Sequence, residues 1–418
     1  MENKIQDLYK SSIELNNLLW VKNVSKYNVD LETIEKDLSC KFNDKLRNFI
    51  NDHPDNNISK FNKNIILPKN LEEKKIDINN ILYNNYTKLK SNKTEVNEEY
   101  YIALENSIAI TKECNYYNNV NHINDNLCGS DTILKIIAQL ANFSYSFNNT
   151  KPIEDKKYNN STNVVYDYLN KFDDLIYFKS DNSSSFMQPM NKDLSAIHIR
   201  KQQRDNFTEA SSIFHEVGHH IYQINHLNKN TEIGKFGQYL SITLHETSSI
   251  LNEIVNSGLN PIIDRYSNNR LIRLGSNKLD YIIHIYIRVL IENMLFVENM
   301  NVREIRDVWN ELTKKYFNMT PTNDFEGFLQ DIHWNRGMFG YFHSYALGFF
   351  NACVLQDNIK NDITEDYFNN TLLVNDIIDK TYGKFTENTE DMLNILHPNI
   401  HDSLEKYKNF INNNFYIK

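Results

Sequence analysis

Only 11 glycines and 7 prolines interrupt 418 residues. Tight turns draw on glycine for left-handed backbone and on proline for a preset φ, so a chain this poor in both has few of them. That scarcity points to long helices. Apolar spacing agrees. "IQDLYKSSIELNNLLWV" and "TILKIIAQLANFSYSF" carry apolar residues three and four apart, the period of an amphipathic helix. "NSTNVVYDYLNKF" is a weaker helix of the same kind. Asn51 to Thr94 is rich in Asn and Lys, with Pro54 and Pro68 as breakers, and reads as loop with one short helix. Between about Asp173 and Arg204, short alternating runs, serine clusters and one proline mark a small sheet. From Glu209 onward nearly everything is helical again. There is no internal repeat, and no linker separates two cores.

Composition narrows the function classes. The formal charge is -9, with acidic and basic residues interleaved, and no basic patch suggests nucleic acid. The polar start "MENKIQDLYKSS" lacks the apolar core of a secretory signal. The most apolar long stretch, Tyr281 to Val297, contains His284, Arg288 and Glu292, which argues against a membrane span. Cys40, Cys114, Cys128 and Cys353 form no CxxC pair, so a reduced cytosolic protein without a thiolate metal site is expected.

The stretch "FHEVGHHIYQ", Phe214 to Gln223, holds H-E-x-x-H at His215, Glu216 and His219. Residues four apart lie on one helix face, so both imidazoles can meet one ion. Glu216 beside them is placed to take a proton from a metal-bound water. Burying two unpaired histidines and a glutamate in an apolar run would otherwise be costly. Gly218 lowers helix propensity by about 1 kcal/mol, which implies close packing there.

The third ligand must come from elsewhere. A metzincin would need glycine and histidine where Tyr222 and Asn225 stand, and His226 is one position off. His220 is rotated about 100° from His219 and reads as a packed or solvent-facing residue. Glu232 lies in a polar loop. The better source is "LHETSSILNE", which brings Glu246 or Glu253 from the next helix. One of the two can bind metal while the other orients a ligand, leaving an open position for water.

These residues resemble the carboxypeptidase Taq family of metallocarboxypeptidases. "HEVGH" matches its first motif, and "HETSSILNE" is similar to its HES-Q-S-R-x-x-E segment, which implies Glu246 as third ligand. "IRLGSNKLDYIIHIYIRVLIE", "GFLQDIHW", "FGYFHSYALGFFNA" and "NIH" follow in the family's order, so the resemblance runs from Ser211 to His401. It implies a mainly α fold: one large helical domain with a deep central groove and a small β-sheet beside the active site. Residues 1–130 are expected to cap the groove and residues 131–418 to form the catalytic region. It also implies a cytoplasmic homodimer acting on peptides, with Zn2+ the default ion. His, His and carboxylate ligands would equally accept Co2+ or Mn2+.

Further roles follow from chemistry and resemblance together. Glu216 is the expected general base. His333, Tyr341 and Tyr345 are candidate donors to an oxyanion, although aromatic residues usually pack. Arg273 and His245 are candidate substrate contacts; Arg273 reads equally as a surface arginine. His284, Arg288 and Glu292 form a polar stripe, either a cleft wall or an Arg288–Glu292 ion pair. Asp331 is expected to orient a histidine. Some positions depart from the family pattern: its HPF element is "QPM", Gln188 to Met190, its D-x-R-x-T element has no clean match, and Ile250 replaces an arginine. An oligopeptidase that cuts within short peptides, or a metal-bound peptide-binding protein without activity, are the competing expectations.

Overall fold

The computed structural model describes residues 1–24, 31–56, 58–59, 66–92, 94–115, 117, 133–148, 162–180, 185–191, 193–200, 206–228, 242–256, 278–382 and 399–415. Among them the fold is mainly α, with one three-stranded sheet. The helices are α1 (Glu2–Val24), α2 (Glu32–Asp52), α3 (Lys69–Asn92), α4 (Glu98–Glu113), α5 (Ile133–Asn148), α6 (Thr162–Leu169), α7 (Asn206–Asn228), α8 (Ile242–Asn256), α9 (Lys278–Phe296), α10 (Ile305–Phe317), α11 (Ile332–Asn335), α12 (Tyr341–Ile359), α13 (Tyr367–Tyr382) and α14 (Ile400–Phe415). No described helix is long and apolar enough to cross a membrane. The chain divides into two compact units, neither of them continuous in sequence.

One unit comprises Met1–Ile66, Lys156–Asn260 and Leu347–Tyr416. Here α1 and α2 form an antiparallel hairpin. Phe42, Leu46 and Phe49 of α2 bury against Ile5 and Leu8 of α1. Ion pairs step along the seam in opposite order: Lys4 with Asp52, Asp7 with Lys45 at 2.7 Å, Glu14 with Lys41 at 3.1 Å, and Lys22 with Glu35. Such exposed pairs contribute little each, but they are consistent with one register.

The sheet falls where the alternating runs stood. Its strands β1 (Leu175–Ser180), β2 (Phe186–Asn191) and β3 (Leu194–Arg200) are ordered β1-β3-β2, with β1 parallel and β2 antiparallel to β3. Trp20 of α1 packs edge-on against Phe178 and Phe186, and β2 and β3 lie against α7.

Helix α8 is buried on every side, from Thr243 and Leu244 through Glu246–Asn256. A helix in that position must satisfy its polar side chains internally. Ser248 donates to the Gly218 carbonyl at 2.8 Å, and Asn252 donates to the Phe214 carbonyl at 2.7 Å, both on α7. Asn256 reaches Thr371 of α13 at 3.0 Å, and Asn351 of α12 donates to Thr247 at 3.2 Å. Two glycines allow the close approach. A Cβ on Gly218 would sit 2.5 Å from the Ser249 Cα, and one on Gly348 would sit 2.8 Å from the Glu246 Cβ. The packing role inferred for Gly218 is thus met.

The other unit comprises Leu67–Asp155 and Pro261–Ala346, with the last two residues of the chain. It pairs α3 with α4 and packs α9 against α5 and α10. Here the sequence expectation was wrong. Helix α3 is 24 residues long, where one short helix within a loop was expected. Its buried Leu82, Tyr86 and Leu89 keep a helical spacing among the Asn and Lys residues that obscure it. Composition argued for loop, and packing of that stripe overrode it.

Candidate metal centre

Helices α7 and α8 run antiparallel, as the Gly218–Ser248 and Phe214–Asn252 bonds require. Their facing surfaces bring His215, His219 and Glu246 together, with one ligand atom from each lying within 4.8 Å of the others. Glu246 Oε2 is 3.5 Å from His215 Nε2 and 3.8 Å from His219 Nε2. Donors held about 2.1 Å from one tetrahedral ion lie about 3.4 Å apart, so this spacing fits a zinc-sized ion. Two imidazole nitrogens and one carboxylate oxygen are also the donor set of an open, catalytic site. The i,i+4 histidines present their rings at 89° and 4.8 Å between centroids.

Each of the three side chains has a further side-chain partner. His215 Nδ1 lies 3.3 Å from Glu253 Oε2, and Ser211 donates to the other oxygen of that carboxylate. His219 Nδ1 is hydrogen-bonded to His245 Nδ1. Ser249 donates to Glu246 Oε2 at 3.1 Å. Spacing alone leaves Glu246 and Glu253 as alternatives; both lie at the centre, Glu246 facing the two imidazoles and Glu253 beside Nδ1 of His215. His245, expected at the substrate, stands against His219. Sequence reasoning passed over Ser211 and Ser249, although Ser249 follows Glu246 by one turn.

Charge and burial set the electrostatics. Burial pushes the Glu216 carboxyl up to about 8; Glu246 and Glu253 add to this, while His215 and the backbone N–H of Met187 on β2 oppose it. That N–H makes the sheet a flank of the site. Burial pulls His215 down, but the Glu253 hydrogen bond and the charges of Glu246 and Glu216 outweigh it and raise the group to about 9. His219 is held well below the ordinary histidine range by burial and by its two histidine neighbours. A bound cation would favour the deprotonated form of all three groups. His220 points away from the site, with Nε2 3.1 Å from Asp174.

Within the other unit, His333, Tyr341 and Tyr345 form one cluster. His333 stacks on Tyr341 at 4.9 Å, and Tyr345 lies 5.8 Å from His333 and 4.9 Å from Tyr341. Asp331 accepts the backbone N–H of His333 at 2.7 Å and of Trp334 at 3.0 Å, capping α11, and lies 3.5 Å from His333 Nδ1. Arg288 pairs with Asp331 and contacts His284, so of the two readings of the polar stripe the Arg288–Glu292 ion pair is not formed among the described residues. Glu292 instead accepts Trp334 Nε1 at 2.9 Å and the Gly340 N–H at 3.1 Å. The guanidinium lies over Trp309 at 4.7 Å and beside Phe342 at 5.2 Å. Arg273 lies outside the described residues, as does Glu232.

Comparison with known proteins adds a lineage. A family profile described as Carboxypeptidase Taq (M32) metallopeptidase matches residues 259–406. Carboxypeptidase 1 of Bacillus subtilis (strain 168) is 28% identical over 206 residues, which cover 43% of this chain and 41% of that protein. The chain thus matches less than half the length of this curated relative. Among solved structures, BsuCP superposes with a TM-score of 0.73 at 17% identity, covering 99% of this chain and 98% of the other. The M32 carboxypeptidase from Deinococcus radiodurans R1 superposes with a TM-score of 0.73 at 14% identity, covering 99% and 98%. At such identities the superpositions speak for the fold alone.

Proposed function

We propose that the chain belongs to the carboxypeptidase Taq (M32) metallopeptidase family, whose profile matches residues 259–406, and that it hydrolyses peptide bonds, releasing C-terminal residues from peptides. The observation that carries this is the convergence of His215, His219 and Glu246 on one point, with Glu216 next in the chain. A bound divalent ion would supply a Lewis acid that acidifies water and polarises the peptide carbonyl. Zn2+ is the ion we assign, and Co2+ or Mn2+ suit the same donors.

The protein groups then have distinct tasks. His215, His219 and Glu246 would hold the ion. Glu216 takes a proton from water and returns it to the departing amine, a task suited to a carboxyl whose burial raises its proton affinity. The Met187 N–H orients that carboxyl. To His333, Tyr341 and Tyr345 we assign hydrogen bonding to the substrate, and to Arg273 capture of its terminal carboxylate, both on the resemblance and on donor chemistry. A cytoplasmic homodimer belongs to the same proposal, and sedimentation of the purified protein tests the dimer.

One test separates this from its rivals. Purified protein is analysed for metal and incubated with a peptide, and the products are read by mass spectrometry. Wild type should yield a ladder of peptides shortened from the C-terminus, and Glu216→Ala should yield none. Equal cleavage of a C-terminally amidated peptide would replace the carboxypeptidase by an oligopeptidase, a reading favoured by "QPM" standing in β2 where the family has HPF. A metal-loaded protein that binds peptide without cutting it, equally well after Glu216→Ala, would be a binding protein.

A further inference from the structure

We propose that His245 is a positioning residue that fixes the ring of His219 for metal binding, an inference that rests on the metal-centre reading above. His245 precedes Glu246, so α8 turns it about 100° away from that ligand's direction. It meets the far side of His219: the two Nδ1 atoms are hydrogen-bonded, and the rings lie 4.3 Å apart at 34°. Tyr222, three residues beyond His219 on α7, packs edge-on against His245 at 5.0 Å, so the second ring is itself braced.

The chemistry of imidazole makes this contact directional. His219 turns Nε2 toward Glu246 Oε2, at 3.8 Å. A neutral imidazole that gives its Nε2 lone pair to an ion carries its proton on Nδ1. When that proton is donated to His245 Nδ1, the second ring carries its own proton on Nε2, and the His245 backbone is a further hydrogen-bond partner of His219. One hydrogen bond thus sets two tautomers and one ring plane.

The two histidines of the motif are consequently anchored by unlike acceptors. His215 faces a carboxylate, Glu253, while His219 faces the ring and the backbone of His245. The asymmetry has a charge rationale. Glu216, Glu246 and Glu253 already gather three carboxyls near His215. A fourth acidic group behind His219 would crowd like charges in a buried place, whereas an imidazole accepts the proton bond without adding charge.

The test compares His245→Leu, which fills space but accepts no bond, with His245→Gln, whose side-chain carbonyl oxygen can accept one. Zn2+ affinity is measured on the purified full chain by competition with a chromophoric chelator, and the Co2+-loaded forms are compared by visible absorption. His245→Leu is expected to bind Zn2+ about 10- to 100-fold more weakly and to alter the Co2+ spectrum. His245→Gln is expected to stay near wild type in both. Equal Zn2+ affinity of the Leu variant and wild type, or a Gln variant that falls as far as Leu, overturns the proposal. Should the Leu variant fail to fold, His245→Phe replaces it with the same two outcomes. A wild-type chain that binds neither ion overturns the metal-centre reading itself.

Discussion

Glu253 Oε2 lies 3.3 Å from Nδ1 of His215, on the side of the ring opposite the Nε2 that faces Glu246. The carboxylate belongs to α8 and the imidazole to α7, so one helix carries both the proposed ligand Glu246 and the partner of His215 on the other helix. Glu253→Ala should weaken Zn2+ binding about 10- to 100-fold while leaving all three ligands in the chain. Chelator competition measures it, and an unchanged affinity would refute the support role.

Glu216→Gln keeps the size and the Met187 contact of the side chain but cannot carry a proton between water and amine. Metal content by elemental analysis should match wild type. The rate of peptide cleavage should fall by about 10²- to 10⁴-fold. A variant that loses its metal along with its activity would instead make Glu216 part of the binding site.

Gly218→Ala places a methyl group 2.5 Å from the Ser249 Cα and 2.6 Å from the Ser248 carbonyl oxygen. Backbone cannot yield as a side-chain tip does, so α7 and α8 must separate. Denaturant unfolding should show a loss of about 1–3 kcal/mol. Metal affinity should fall as well, because the two helices carry different ligands.

Burial pushes Glu292 from 4.5 up to about 8, against the Trp334 and Gly340 hydrogen bonds and the nearby Arg288, with Asp331 adding to the rise. His343 Nδ1 also faces it, at 3.7 Å. The folded state therefore keeps a proton that the unfolded chain releases above pH 4.5. Stability from this group is complete below that value and drains away as pH climbs through 8. Glu292→Gln should flatten this part of the stability–pH curve, measured by thermal melts at a series of pH values. An unchanged slope would mean that the carboxyl ionises freely when folded.

The histidine pair of the metal centre was legible in the sequence because its geometry is local: four residues make one helical turn. Spacing does not choose between Glu246 and Glu253 on the same helix; only the facing of α7 and α8 shows that Glu246 lies nearest both imidazoles. Helix α3 was obscured by its Asn and Lys content. The partner of Arg288 was missed because i,i+4 spacing favoured Glu292, while Asp331, 43 residues away, comes close only after folding. The sheet was visible from alternation, but its contact with Glu216 through the Met187 amide depends on backbone position and leaves no trace in residue identity.

The two donors that α8 sends to α7, Ser248 and Asn252, are four residues apart, and so are the carbonyls that receive them, Gly218 and Phe214. Matching intervals of this kind work like a vernier. A slip of α8 by a single residue would strand both donors together, in a place without solvent to replace their partners. Longitudinal sliding is thereby forbidden, and the height at which Glu246 meets the two imidazoles is written into a pair of bonds that involve none of those three side chains.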